Sequence, residues 1–142
     1  MKKVIIKTMF IAFLAFSFTT LFASVQTQSE QTKEIEPKVF AVINKADWCP
    51  TCQANGSRIM SEVMPACKNL KVKFLPNDLT SNQTIAKSGE DLKKNKLVAA
   101  VQPVKSTGVI LLIDAKTKKL IKQISVARPS AEIIKEITAA QS

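Results

Sequence analysis

Cys49 and Cys52, separated by Pro50 and Thr51 and preceded by Trp48, are the residues of this 142-residue chain whose types and spacing suit chemistry. Two thiols at this spacing can close a small disulfide and open it again. A thiolate attacks a disulfide sulfur, and a neighbouring thiol then resolves the mixed disulfide. The first sulfur must sit where its thiolate is favoured. Lys38-Val39-Phe40-Ala41-Val42-Ile43 upstream is an almost continuous apolar run of strand length, and Gln53 to about Leu70 has helical spacing. The pair therefore falls on a strand-to-helix turn, with Cys49 facing unpaired backbone N–H groups and the positive end of the helix dipole. Cys49 is the expected nucleophile and Cys52, one helical turn on, the expected resolving thiol. Pro50 suits the first helical position, and Thr51 adds a hydroxyl without a charge. No histidine lies between the cysteines to stabilise the reduced form, so an intermediate or reducing potential is expected.

Composition removes many alternatives. The chain has no histidine and no tyrosine, which rules out Ser-His-Asp and Cys-His nucleophile pairs and any histidine-ligated zinc. A structural zinc wants four ligands, and three cysteines cannot supply them. An inert disulfide remains the bland alternative, and no cofactor is expected. Three cysteines allow at most one internal disulfide. The leftover thiol, Cys67, lies fifteen residues beyond Cys52, over ~20 Å along a helix, too far to bridge the pair. It reads as a small core residue, with a Cys67-linked dimer of an otherwise monomeric protein as the alternative. Met60 and Met64 read as core filling, although a Cu(I) site would recruit them as soft ligands. The net charge of +10 is spread over separate lysines, with mild clusters at Lys93-Lys94-Lys96 and Lys116-Lys118-Lys119-Lys122. Without basic-aromatic interleaving this argues against nucleic-acid binding.

The chain divides into three parts. Residues 1–23 read as a signal peptide: Lys2, Lys3 and Lys7 precede an apolar stretch, Met9 to Phe22, and Leu21-Phe22-Ala23 offers a cleavage point. That stretch is shorter than the roughly 20 residues a membrane anchor needs. Residues 24–37 are polar and read as a flexible linker, and 38–142 form one domain. The expected location is periplasmic or otherwise extracytoplasmic, where disulfides form and persist. Within the domain, a strand at Val39 to Asn44 leads to a helix from Pro50, which Gly56 and Pro65 are placed to bend or break. Met60, Val63 and Met64 would face the core from it. A half-buried strand at Leu70 to Leu75 is expected to end at Pro76-Asn77-Asp78. Thr80 to Gln102 reads as two helices broken near Ser88-Gly89, with Ser88 capping the second. Val109 to Ile113 reads as a central strand, Leu120 to Val126 as its antiparallel neighbour, and Pro129-Ser130 as the start of a last helix presenting Ile133, Ile134 and Ile137. The order β-α-β-α-β-β-α implies an α/β fold, a mixed central sheet flanked by helices on both faces.

On the WCPTC pentapeptide after a buried strand, and on this element order, the chain resembles the thioredoxin superfamily from about Pro37 to its end. The segment from Thr80 to Val101 looks like an insertion or an extended helix. The resemblance implies a thioredoxin-like fold and thiol–disulfide oxidoreductase activity. The substrates would be protein disulfides or dithiols, and a membrane or periplasmic redox partner would recycle the pair. It also implies a cis-proline just before the strand at Val109 to Ile113; here Thr107-Gly108 holds that place. The family's buried acid falls at Ile43 and its lysine partner at Phe74. Two other readings compete: a Cu(I)-handling module on the same fold, and a non-catalytic interaction domain.

Overall fold

The computed structural model describes residues 36–142. The expected signal segment 1–23 lies outside them, as does the linker 24–37 except at its last two residues. Among the described residues no helix is long and apolar enough to cross a membrane.

Four strands form one sheet: β1 (Val39–Lys45), β2 (Val72–Asp78), β3 (Val109–Asp114) and β4 (Leu120–Ser125), in the order β2-β1-β3-β4. β1 pairs in parallel with β2, from Val39 opposite Val72 to Lys45 opposite Asp78. It pairs antiparallel with β3, from Val39 opposite Asp114 to Asn44 opposite Val109. β3 and β4 are antiparallel, with an irregularity at Leu112 and Ile113. The helices are α1 (Pro50–Arg58), α2 (Met64–Ala66), α3 (Asn82–Lys94), α4 (Val98–Val101) and α5 (Ser130–Ala139). This is the thioredoxin-like fold expected from the sequence.

Strand alternation divides the core in two. On one face, Val39, Ala41, Ile110, Leu112 and Ile124 pack with Ile59, Val63 and Cys67 below the cysteine helix and with Ile133 and Ile137 of α5. On the other, Phe40, Val42, Leu111 and Ile113 pack with Leu92 of α3 and with Leu97 and Val101. With both faces of β1 and β3 covered, each strand reads as one apolar run rather than an alternation.

Four local expectations need correction. The helix after Cys52 is not broken at Gly56. It passes into a π-helical turn, Ile59–Val63, whose last bond runs from Met64 N–H to Ile59 C=O. Pro65 follows directly, and its missing N–H and bulky ring make a regular α-turn there costly. The altered phase buries Ile59 and leaves Met60 62 % exposed, so Met60 is not a core residue, whereas Val63 is. Pro76-Asn77-Asp78 does not end the second strand but completes it. β2 lies at the sheet edge, where a proline costs least. Finally, α3 runs unbroken through Ser88-Gly89 and stops at Asn95, ahead of Lys96 at φ 58. Its cap is Ser81, whose hydroxyl accepts from Thr84 N–H while Thr84 Oγ1 accepts from Ser81 N–H. Ser88 instead bonds back to Thr84 C=O and accepts from Asp78 N–H.

Candidate dithiol site

β1 ends at Lys45 and α1 starts at Pro50, and the turn between them delivers the cysteines. Cys49 is the N-cap, with extended φ and ψ of −86 and 112. Its backbone N–H donates to Ala46 C=O at 3.2 Å, and its own C=O accepts from Gln53 N–H at 3.0 Å. Gln53 also donates its side-chain amide to Asp47 C=O, which closes the turn from the helix side. A cap position normally filled by serine or aspartate is filled by a sulfur: Cys49 Sγ accepts from Cys52 N–H at 3.2 Å. Cys49, Cys52 and Cys67 are all free thiols.

The two thiols of the pair are set apart electrostatically. Burial works against ionisation of Cys49. The Cys52 thiol, the Thr107 hydroxyl and the Cys52 and Thr51 backbone N–H groups bond to its sulfur and outweigh that cost, holding the thiol below the ordinary cysteine range. Burial, the hydrogen bond to Cys49 and the charge on it push Cys52 up, with partial relief from backbone groups of Ala46 and Gly108. The site therefore favours ionisation of Cys49 over that of Cys52.

The loop that leads into β3 covers the pair. Gly108 stands against Thr51 and Cys49. Gly108 has φ 71, and among the described residues no peptide bond is cis. A side chain at Gly108 would put its Cβ 3.1 Å from Thr51 Cβ and Cγ2 and 3.5 Å from Cys49 Sγ. Glycine is required here twice over, by the backbone angle and by the closeness of Thr51 and the sulfur. Its N–H donates to Asn44 C=O at 2.8 Å and its C=O accepts from Val126 N–H at 2.9 Å.

Other expected residues take less direct places. Trp48 is 62 % exposed and gives the site an apolar outer surface. Ile43 and Phe74 line a mostly apolar cavity of about 660 Å³ bordered by Cys52, Met60 and Met64. The Lys45 ammonium is bound by Asp78, and Asp47 contributes through its backbone. Cys67 is 2 % exposed in the core, and burial pushes its thiol up. Among the described residues no group of three or more His, Cys, Asp or Glu side chains could hold a metal ion.

Sequence reasoning missed a buried amide pair. Asn44 is fully buried at the end of β1, and Asn77 is nearly so on β2. Asn77 Nδ2 donates to Asn44 Oδ1 at 2.8 Å. Asn44 Nδ2 donates to Val104 C=O at 3.2 Å and to Ser106 C=O at 3.1 Å. The available signal was a lone amide closing an otherwise apolar strand, directly before the cysteine turn.

No family model matches the chain, and no curated protein does. Among solved structures it is similar to Trxlp from Edwardsiella tarda EIB202, at 15 % identity over 74 % of this chain and 86 % of that one, with a TM-score of 0.43. It is also similar to Chlamydomonas reinhardtii thioredoxin f2, at 16 % identity over 77 % of this chain and 87 % of that one, with a TM-score of 0.47.

Proposed function

We propose that this chain is an exported thiol–disulfide oxidoreductase that exchanges disulfides with protein substrates through Cys49 and Cys52. The observation that carries the reading is the placement of the pair, with Cys49 Sγ at the N-cap of α1 accepting from Cys52 N–H at 3.2 Å, a geometry that separates the two thiols. Cys49 is held below the ordinary thiol range by hydrogen bonds at a helix N-cap, while Cys52, one turn on, is held above it.

The chemistry follows from that difference. The Cys49 thiolate attacks one sulfur of a substrate disulfide. The substrate S–S bond breaks as the Cys49–substrate bond forms, and the departing substrate sulfur takes up a proton. Once Cys49 is in a mixed disulfide its negative charge is gone, and with it one of the causes that kept Cys52 protonated. Cys52 then gives up its proton and attacks Cys49 Sγ. The Cys49–Cys52 disulfide forms and the second substrate thiol leaves. Two electrons have passed to the substrate, so a dithiol partner, membrane-bound or periplasmic, must reduce the pair before another turnover. Run backwards, the same steps oxidise a substrate dithiol.

Reduction of insulin by the purified chain, with dithiothreitol as electron source, tests the reading. The wild-type chain should accelerate precipitation of the insulin B chain well above the dithiothreitol background, and Cys49→Ser should return the rate to that background. Equal rates for the two proteins would sink the proposal.

A further inference from the structure

We infer that Asn44, backed by Asn77, is a positioning residue for Cys49: it fixes the 104–108 loop so that the Thr107 hydroxyl and the Gly108 backbone stand against the dithiol. The inference rests on the exchange reaction proposed above and extends it to residues on the far side of the sheet from α1.

The argument starts from cost. A buried amide without partners is expensive, and a strand between two apolar layers is the least favourable place for one. Asn44 occupies such a place, after five residues, Val39 to Ile43, that are all apolar. Its side chain makes no use of solvent. Both hydrogens of Nδ2 go to the same short segment, to carbonyls two residues apart at Val104 and Ser106, and Oδ1 receives Asn77. Its backbone carbonyl takes the N–H of Gly108 from the same segment. One residue thus grips the loop at 104, 106 and 108. Thr107 lies between the last two grips, and at the last of them, Gly108, the backbone comes so close that a Cβ there would lie 3.5 Å from Cys49 Sγ; the Thr107 side chain beside it favours the Cys49 thiolate.

That loop has little else to define it. Between Val101, the last residue of α4, and Val109, the first of β3, there is no helix or strand; besides the Asn44 bonds, the backbone is tied by turn bonds at its start, from Gln102 N–H to Val98 C=O and from Val104 N–H to Val101 C=O, and by Val126 N–H to Gly108 C=O at its end. No cis-proline sets its backbone. Asn77 orients the amide in turn. It lies opposite Asn44 in the parallel β1–β2 register, so its side chain emerges on the same face, and its donated bond fixes which end of the Asn44 amide is left for the loop. An apolar residue of equal size at 44 would fill the space but leave the carbonyls of Val104 and Ser106 unpaired, and the loop would move to satisfy them.

A purely structural amide would affect stability and leave the sulfur alone, so the test reads the sulfur. The full chain and its Asn44→Leu, Thr107→Val and double variants are titrated by thiolate absorbance. Alkylation at the Cys49 peptide is followed by mass spectrometry at pH 7. Asn44→Leu should raise the Cys49 midpoint by about one pH unit, the size of effect expected from one hydrogen bond to a charged group. Alkylation at pH 7 should slow several-fold. Thr107→Val should do the same, and the double variant should add little, because both changes remove one interaction. Asn77→Leu should move the midpoint in the same direction by less. A stability loss in Asn44→Leu with an unmoved midpoint, or full additivity in the double variant, overturns the inference. If Asn44→Leu does not fold, the cycle of Asn77→Leu with Thr107→Val is judged by the same two criteria. The insulin assay reports separately: a chain that reduces no insulin yet shows the expected midpoints loses the proposed reaction and keeps the positioning role.

Discussion

On one face of the sheet, Ile43, Val39, Ala41, Ile110 and Leu112 meet the cysteine helix and α5 through apolar side chains. On the other, Phe40, Val42, Leu111 and Ile113 make an equally apolar layer with α3 and α4. At the strand ends nearest the dithiol, however, that layer gives way to Asn44 and Asn77. One residue further along the same two strands, Lys45 and Asp78 form a second cross-strand pair, projecting from the opposite face and partly exposed. The register alone sends these adjacent pairs to opposite sides. Both faces supply burial, and the face away from the cysteines also supplies the side-chain hydrogen bonds from Asn44 that hold the covering loop. Stability and thiol chemistry are therefore separable by mutation.

The largest expected effect is in the apolar layer under the cysteine helix. Ile137 is fully buried, and Ile137→Ala should cost about 2–5 kcal/mol in urea unfolding. The Cys49 midpoint of the folded protein should not move. A midpoint that moved with it would break the separation of the two faces.

Gly108→Ala comes next, because it strikes where the loop meets the cysteines. A Cβ at φ 71, with Thr51 3.1 Å away, should cost about 1–3 kcal/mol. It should also slow Cys49 alkylation by pushing the loop outward. Unchanged stability in chemical denaturation would show that the loop is loosely held, against the grip assigned to Asn44.

The smallest effect belongs to the exposed pair. Burial opposes ionisation of Asp78, but hydrogen bonds from Lys45 and Thr80 overcome it and hold the carboxyl at about 2, against 3.8 ordinarily. A depressed carboxyl stabilises the fold above its unfolded value and loses that contribution as pH falls through the folded one. The contribution should be complete above about pH 4 and gone below about pH 2. Solvent screening limits it to about 1 kcal/mol. Denaturation midpoints of wild type and Asp78→Asn between pH 2 and 7 should converge at the acid end. A gap that persists at pH 2 would assign the stabilisation to something other than the charge.

Much of this was legible in the sequence because short-range chemistry dictates it. The cysteine spacing, Pro50 after the N-cap and the apolar run of β1 each carry their own reason, and together they place the dithiol. What could not be read depends on partners distant in the chain. Asn44 looks like the polar end of a strand until Val104, Ser106 and Asn77 close around it. Pro76-Asn77-Asp78 has the composition of a turn, and only its place at a sheet edge lets it extend β2. Ser88-Gly89 has the composition of a break, but the Ser88 hydroxyl finds Thr84 and Asp78, and at Gly89 a side chain would meet nothing within 4 Å, so the helix has no need of glycine there. Met60 was assigned to the core by regular helical spacing, which the π-turn ahead of Pro65 then shifts.

Pro76 has one more consequence. A sheet with two open edges offers each as a template on which another extended chain can add. β2 and β4 are those edges. On β2, Pro76 has no N–H to offer an incoming strand, which interrupts the ladder in its middle. On β4, the exposed Leu120 and Ile121 sit among Lys118, Lys119 and Lys122, so a second copy would bring like charges together. A protein whose proposed work is to bind unpaired and mispaired chains must touch them at its sulfur without recruiting them along its flanks. A single proline in an edge strand is a compact way of keeping that flank closed to polymerisation.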